Sequence, residues 1–260
     1  MPKFAANLSW LFQELPFLDR FGAAAKAGFC GVEVLFPYDT PAARLADQLS
    51  RHGLRQVLIN APPGDLSAGD HGLAALPGRE AEFAKSLEAA LTYATALDCP
   101  RIHVMAGGVL AGRSLDQQEE TYVANLRRGA EAARRHSKTL LIEPLNRRDA
   151  PGYFLSTLEQ ARRVVELVDR DNVRLQFDLY HAQIMGGDLA ERLRLFMPVT
   201  GHVQIAGVPG RHEPDQGEIS YPYLFVLLDE LGYDGWVGCE YRPRGATVAG
   251  LAWATPYGIG

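Results

Sequence analysis

Thr139-Leu140-Leu141-Ile142-Glu143-Pro144-Leu145-Asn146 is the stretch from which the fold of this chain can be read. A short, continuous run of apolar and β-favouring residues describes a strand buried on both faces, as in a parallel sheet covered by helices. Pro144 lacks the N–H that a ladder needs and steers Glu143 away from helical backbone, so the strand stops there. A carboxylate is thereby held at the C-terminal tip of a buried strand. Val173-Arg174-Leu175-Gln176-Phe177-Asp178 and Trp236-Val237-Gly238-Cys239-Glu240 repeat the design. His202-Val203-Gln204-Ile205-Ala206 carries an amide in place of the acid.

Outward from these strands the chain alternates strand and helix. Residues 4–8 read as a first strand with Asn7 near its end, and 17–27 as a helix closing on Gly28. A second strand, 31–36, contains Glu33, and a helix over 40–52 has Thr40 as its cap with Pro41 at its first position. The third strand, 55–59, runs into Asn60. Residues 61–78 form a long Gly- and Pro-rich loop of the kind that often serves as a functional lid. A helix at 79–97 precedes the fourth strand, 101–105, which carries His103. Helices follow at 116–136, at 156–168 with Ser156 and Glu159 as a capping box, at 188–196 and at 220–231. Residues 241–260 show no clear element and read as a C-terminal tail. Eight strands and seven helices in alternation predict a single α/β domain over 1–260, a closed (β/α)₈ TIM barrel. No GxGxxG follows the first strand, which argues against a dinucleotide fold.

The 260 residues are 47% hydrophobic, enough for one large core, and no run reaches the roughly 18 apolar residues of a membrane span. The N-terminus has neither the apolar stretch nor the cleavage site of a signal peptide. A net charge of −5 disfavours a general nucleic-acid or anionic-membrane surface. Cys30, Cys99 and Cys239 are too few and scattered for a disulfide framework. The expectation is a soluble, cytoplasmic protein with no nucleic-acid or membrane partner; self-association is left open.

One carboxylate on a strand end is ordinarily a cap or a solvated charge. Three of them on strands five, six and eight, with an amide on seven, would crowd into one barrel mouth, and active sites of such barrels lie there. Like charges that close cannot all ionise without a cation. Glu143, Asp178, Gln204 and Glu240 therefore read as the ligands of one divalent metal, and an all-oxygen set suits Mg2+ or Mn2+ better than zinc. Around them, His181 is placed to orient a substrate oxygen, against a reading as a loop histidine at a helix start. Arg211 is placed to grip a substrate carboxylate, against a solvated arginine. His103 points into the barrel as a site or a core residue. Asn7, Asn60 and Glu33 sit where they would line the pocket.

Ala6-Asn7-Leu8-Ser9, Phe36-Pro37-Tyr38-Asp39, Leu76-Pro77-Gly78-Arg79-Glu80, Ile142-Glu143-Pro144, Asp178-Leu179-Tyr180-His181, Gly201-His202-Val203-Gln204-Ile205-Ala206 and Gly235-Trp236-Val237-Gly238-Cys239-Glu240-Tyr241 resemble the hydroxypyruvate isomerase family, a branch of the xylose-isomerase-like TIM barrels. The resemblance covers almost the whole chain. It implies the same four metal ligands, with Glu143 and Glu240 as the acid/base pair. The wider superfamily commonly has histidine where this chain has Gln204. The substrate implied is a short hydroxy-oxo acid. It is either hydroxypyruvate, giving tartronate semialdehyde, or a 2-oxotetronate, giving a 3-oxotetronate, and residues 205–214 look closer to the second. The route expected is proton transfer through an enediolate, with a hydride shift as its rival. A ketose 3-epimerase acting on a neutral sugar would use nearly the same constellation. A metal-dependent endonuclease would call for more histidine ligands and a basic groove.

Overall fold

In the computed structural model, which describes residues 1–260, every strand pairs in parallel with its sequence neighbours and the first pairs with the last, closing the sheet. The order is β1 (Lys3–Asn7), α1 (Asp19–Lys26), β2 (Gly31–Val34), α2 (Ala42–His52), β3 (Arg55–Asn60), α3 (Glu80–Ala96), β4 (Arg101–His103) and α4 (Leu115–Arg135). It continues with β5 (Thr139–Ile142), α5 (Leu158–Val168), β6 (Val173–Asp178), α6 (Leu179–Met185), α7 (Leu189–Phe196), β7 (Thr200–Ile205), α8 (Tyr221–Glu230) and β8 (Trp236–Cys239). The closing seam pairs Phe4 with Val237 and Ala6 with Cys239. The continuous apolar run on β5 has the environment its composition requires: Leu140, Leu141 and Ile142 are fully buried, between the barrel interior and the helices.

Local chemistry departs from the sequence reading in four places. α6 is an additional helix whose N-cap is Asp178, and at seven residues it is too short to show periodicity. Thr40 does not cap α2, which begins after Pro41 with no side-chain cap. Thr157, not Ser156, caps α5: its hydroxyl accepts the Gln160 N–H (3.1 Å). Gln160, rather than Glu159, returns the bond to the Ser156 N–H (3.1 Å). The tail also has structure, a 3₁₀ segment at Thr247–Tyr257 that buries Leu251 and Ala254 and sets Trp253 edge-on to Phe4 of β1.

The long loop before α3 is divided. Its second half is anchored: Leu73, Ala74, Ala75 and Leu76 are buried, and Asn125 and Gln118 of α4 donate to the carbonyls of Ala74 (2.9 Å) and Ala75 (3.1 Å). Gly72 has a φ of 118° and lies so close to Met105 that a Cβ would sit 2.4 Å from its carbonyl carbon. The largely exposed stretch just before it, residues 65–71, is tied down by Arg79 through a two-pronged pair to Asp70 (2.6 and 2.8 Å).

The Arg79 hydrogen bonds hold the Asp70 carboxyl below its ordinary value. A depressed acid stabilises above its unfolded pKa and ceases to do so as pH falls through its folded one. Hydrogen exchange at residues 65–71 should therefore quicken in Arg79→Ala at neutral pH, and in wild type only below about pH 4. The melting temperature should barely move, because half-exposed pairs contribute little.

Candidate active site

Strand ends five to eight deliver their polar groups to one point. Asp178 is both the last residue of β6 and the cap of α6, so its Oδ1 accepts the Tyr180 N–H (2.7 Å) while Oδ2 is left without a hydrogen-bond partner. Glu143, one residue past β5, also buries an unpartnered oxygen, Oε1. Glu240 follows β8. Its Oε1 accepts from Arg211 (2.6 Å), and its Oε2 accepts from Asn7 (3.0 Å) and Gln204 (2.7 Å). Asn7 and Gln204 are fully buried. The Gln204 nitrogen faces carboxylates, and its oxygen accepts from the Gln176 amide (2.6 Å).

His181, in the first turn of α6, has a fixed tautomer. The backbone N–H of Asn146 points at its Nδ1 (3.1 Å) and has only a proton to offer, so Nδ1 accepts. The ring proton then lies on Nε2, which looks toward Asp178 Oδ2 (3.6 Å) and Glu143 Oε1 (3.9 Å). Glu143, Asp178 and His181 each offer an atom, all within 4.8 Å of one another. Of the three, the two carboxylates have lone pairs free for a cation, and His181 is a donor.

Arg211 is no solvated arginine. Its guanidinium lies between Trp10 (4.7 Å) and Tyr180 (4.9 Å), and Tyr180 is itself held by Asp149 (2.7 Å). His103 is nearly fully buried, 3.6 Å from Glu143. Burial first, and then the neighbouring His202, hold it neutral by depressing it to about 3, so this contact is not an ion pair. A cavity of about 570 Å³ opens above this floor, lined among others by Asn60, His103, Glu143, His181, Arg211 and Glu240. A larger cavity, about 680 Å³, lies outside the barrel between α3 and α4 and touches none of these groups.

The electrostatics are those of acids short of counter-charge. Burial raises Glu143 well above the usual carboxylate range, and Glu240 and Asp178 push it further. Burial lifts Asp178 to about 6 and Glu240 to about 8, in both cases against the pull of Arg211. His181 is pushed down by burial and by Arg211. Burial alone would lower Arg211, but Glu240, Asp178 and Glu143 outweigh it and raise it.

With this geometry in view, the chain can be set beside known proteins. Residues 21–257 match the family profile described as the xylose isomerase-like TIM barrel. The chain belongs to that family. It is 53% identical to the 2-oxo-tetronate isomerase of Cupriavidus necator over 257 residues, 99% of each chain. It is 44% identical to the hydroxypyruvate isomerase of Escherichia coli K12, across 99% of this chain and 100% of that one. A crystal structure named AP endonuclease, family 2, from Brucella melitensis superposes with a TM-score of 0.97 at 54% identity, over 99% of both chains. The Cupriavidus necator and Escherichia coli relatives are both named as isomerases, and this chain is an isomerase.

Trp10, Tyr180, Gln176 and Asn146 had no role in the sequence reading. Trp10, in the turn after β1, and Tyr180, in the first turn of α6, both follow strand ends, where an aromatic side chain is a usable signal. Gln176 and Asn146 carry none, because what matters is which neighbour they meet.

The raised acids give this site a definite pH signature. A carboxyl whose folded pKa is raised contributes stability below its unfolded value and loses it as pH rises through the folded one. Chelator-treated protein should therefore lose melting temperature between about pH 4 and pH 8, and Glu143→Gln should flatten that loss. A flat profile in wild type would mean that the three acids do not share one desolvated space.

Proposed function

We propose that this chain converts a 2-oxotetronate to the 3-oxotetronate, with one divalent cation, Mg2+ or Mn2+, held by Glu143, Asp178, Gln204 and Glu240. The observation that carries the reading is the pair of buried, unpartnered oxygens, Glu143 Oε1 and Asp178 Oδ2, in a buried cluster with His181. Acids so placed fit a hard cation, which supplies both the missing positive charge and the polarisation of a substrate carbonyl. The names of the relatives support the four-carbon acid, since the Cupriavidus necator protein matches at 53%. The three-carbon reaction, hydroxypyruvate to tartronate semialdehyde, has the support of the Escherichia coli relative at 44%.

The reaction breaks a C–H bond on the carbon bearing the hydroxyl and makes one on the neighbouring carbonyl carbon. The hydroxyl oxygen becomes the carbonyl and the carbonyl oxygen a hydroxyl, with no net oxidation. Glu143 and Glu240, on strands five and eight, are the acid/base pair, one on either side of the mouth, taking and returning the proton. His181 donates its Nε2–H to a substrate oxygen and so stabilises the enediolate. Arg211 holds the substrate carboxylate, stacked and pre-oriented between Trp10 and Tyr180. His103 and Asn60 line the remaining wall. An endonuclease must attract a polyanion, and a mouth lined by Glu143, Asp149 and Glu240 on a chain of net charge −5 opposes one. A soluble small-molecule enzyme of the cytoplasm fits the absence of any helix long and apolar enough to cross a membrane.

Chelation should abolish isomerisation, and Mg2+ or Mn2+ should restore it; full activity in rigorously metal-free protein would refute the cation. Turnover in heavy water should place deuterium on the product carbon, whereas complete retention of the substrate hydrogen would favour a hydride shift. Glu143→Gln and Glu240→Gln should each cost about 10²–10⁴ in rate, with metal content measured in parallel. Arg211→Ala should lose about 2–5 kcal/mol of transition-state binding on the acid and little on a neutral sugar. Equal losses on both would reject the carboxylate grip and favour a structural arginine.

A further inference from the structure

Glu33 is a fourth buried acid, and the reaction does not use it. It lies just where the β2–β3 register shifts, fully buried inside the barrel. Unlike Glu143 and Asp178, it has partners on both oxygens. Oε1 meets His202 Nε2, and Oε2 accepts from Asn7 Nδ2 (3.1 Å) and Gln204 Nε2 (2.9 Å). Space for it is made by Gly238 of β8, where a Cβ would lie 2.2 Å from Glu33 Oε1. The two amides that reach Glu33 are the same two that donate to Glu240 Oε2.

A glutamine side chain is nearly symmetric in shape and opposite in function at its two ends. A carboxylate only accepts, so Glu33 admits the nitrogen end of Gln204 and rejects the oxygen end. With the nitrogen committed, the oxygen is the end left to a cation, and its one protein partner is the neutral amide of Gln176. We propose that Glu33 is a positioning residue for the cation site, fixing which end of Gln204 is presented, with His202 and Gly238 as its supports. This rests on the reading of Gln204 as a ligand. Glu240, as a ligand, would share its Oε2 with the cation, which leaves Glu33 as the acceptor that holds the nitrogen end of Gln204.

Mn2+ affinity measured by calorimetry separates the alternatives without recourse to activity. Glu33→Leu should weaken Mn2+ binding by about 10–100-fold, the usual consequence of losing a group that orients a ligand. Glu33→Gln should stay near wild type. His202 Nδ1 has no partner, so that ring can change tautomer and receive the new N–H, leaving an acceptor for Gln204. In a Gln204→Ala background, Glu33→Leu should cause no further loss, because the residue it orients is gone. Wild-type affinity in Glu33→Leu, or a full extra loss in the double variant, would overturn the proposal. If circular dichroism shows Glu33→Leu unfolded, Gly238→Ala, which crowds the same carboxylate, carries the same expectations alone and with Gln204→Ala. Wild-type protein that binds no Mn2+ would instead overturn the ligand reading, on which this one depends.

Discussion

Three carboxylates have been taken out of water within a few ångströms of one another, and the remainder of the barrel mouth is arranged around that conflict. Burial disfavours the charged form of each, and each charge disfavours the next. One arginine cannot neutralise three acids. Arg211 engages Glu240 directly and Asp178 more distantly (3.6 Å), and Glu143 is left with an oxygen that nothing in the protein satisfies. Removing any one acid would ease the repulsion on the other two. Without further positive charge, the conflict is eased by protons held on acids that burial has raised.

The fold resolves the placement of each group by a local device. Pro144 ends β5 at Glu143. The first turn of α6 takes one oxygen of Asp178 and leaves the other. The backbone of Asn146, just past Pro144, sets the tautomer of His181 on the next strand's helix, so two neighbouring βα units together fix one N–H donor at the mouth. Gly238 leaves room below Glu240 for a second acid. None of these devices is energetically large, but each decides which atom faces the cavity.

The barrel and its acids were legible because both are written in strand patterns. Continuous apolar runs ending in Glu143, Asp178 and Glu240 carry the fold and the site in the same few residues. What the sequence concealed depends on meetings between distant parts of the chain. Arg211 reads as a coin-toss surface residue until Trp10 and Tyr180 are seen on either side of it. Glu33 sits in an ordinary β-strand pattern, and its partnership with Gln204 spans 171 positions. α6 is invisible to periodicity, and Thr157 was missed beside Ser156 because adjacent hydroxyl residues offer equally plausible caps. The tail at Thr247–Tyr257 lacks an amphipathic repeat, since it packs by aromatic edges against Phe4 rather than by a helical face.

The seam between β1 and β8 has a consequence for how the molecule comes into being. A ribosome delivers Asn7 long before Glu240, yet the two share a hydrogen bond across 233 positions. A nascent chain can build the early βα units, but it cannot assemble the acid cluster until strand eight has emerged and docked. Completion of the cluster therefore coincides with closure of the barrel, since the seam that pairs Ala6 with Cys239 is the one that brings Glu240 to Asn7.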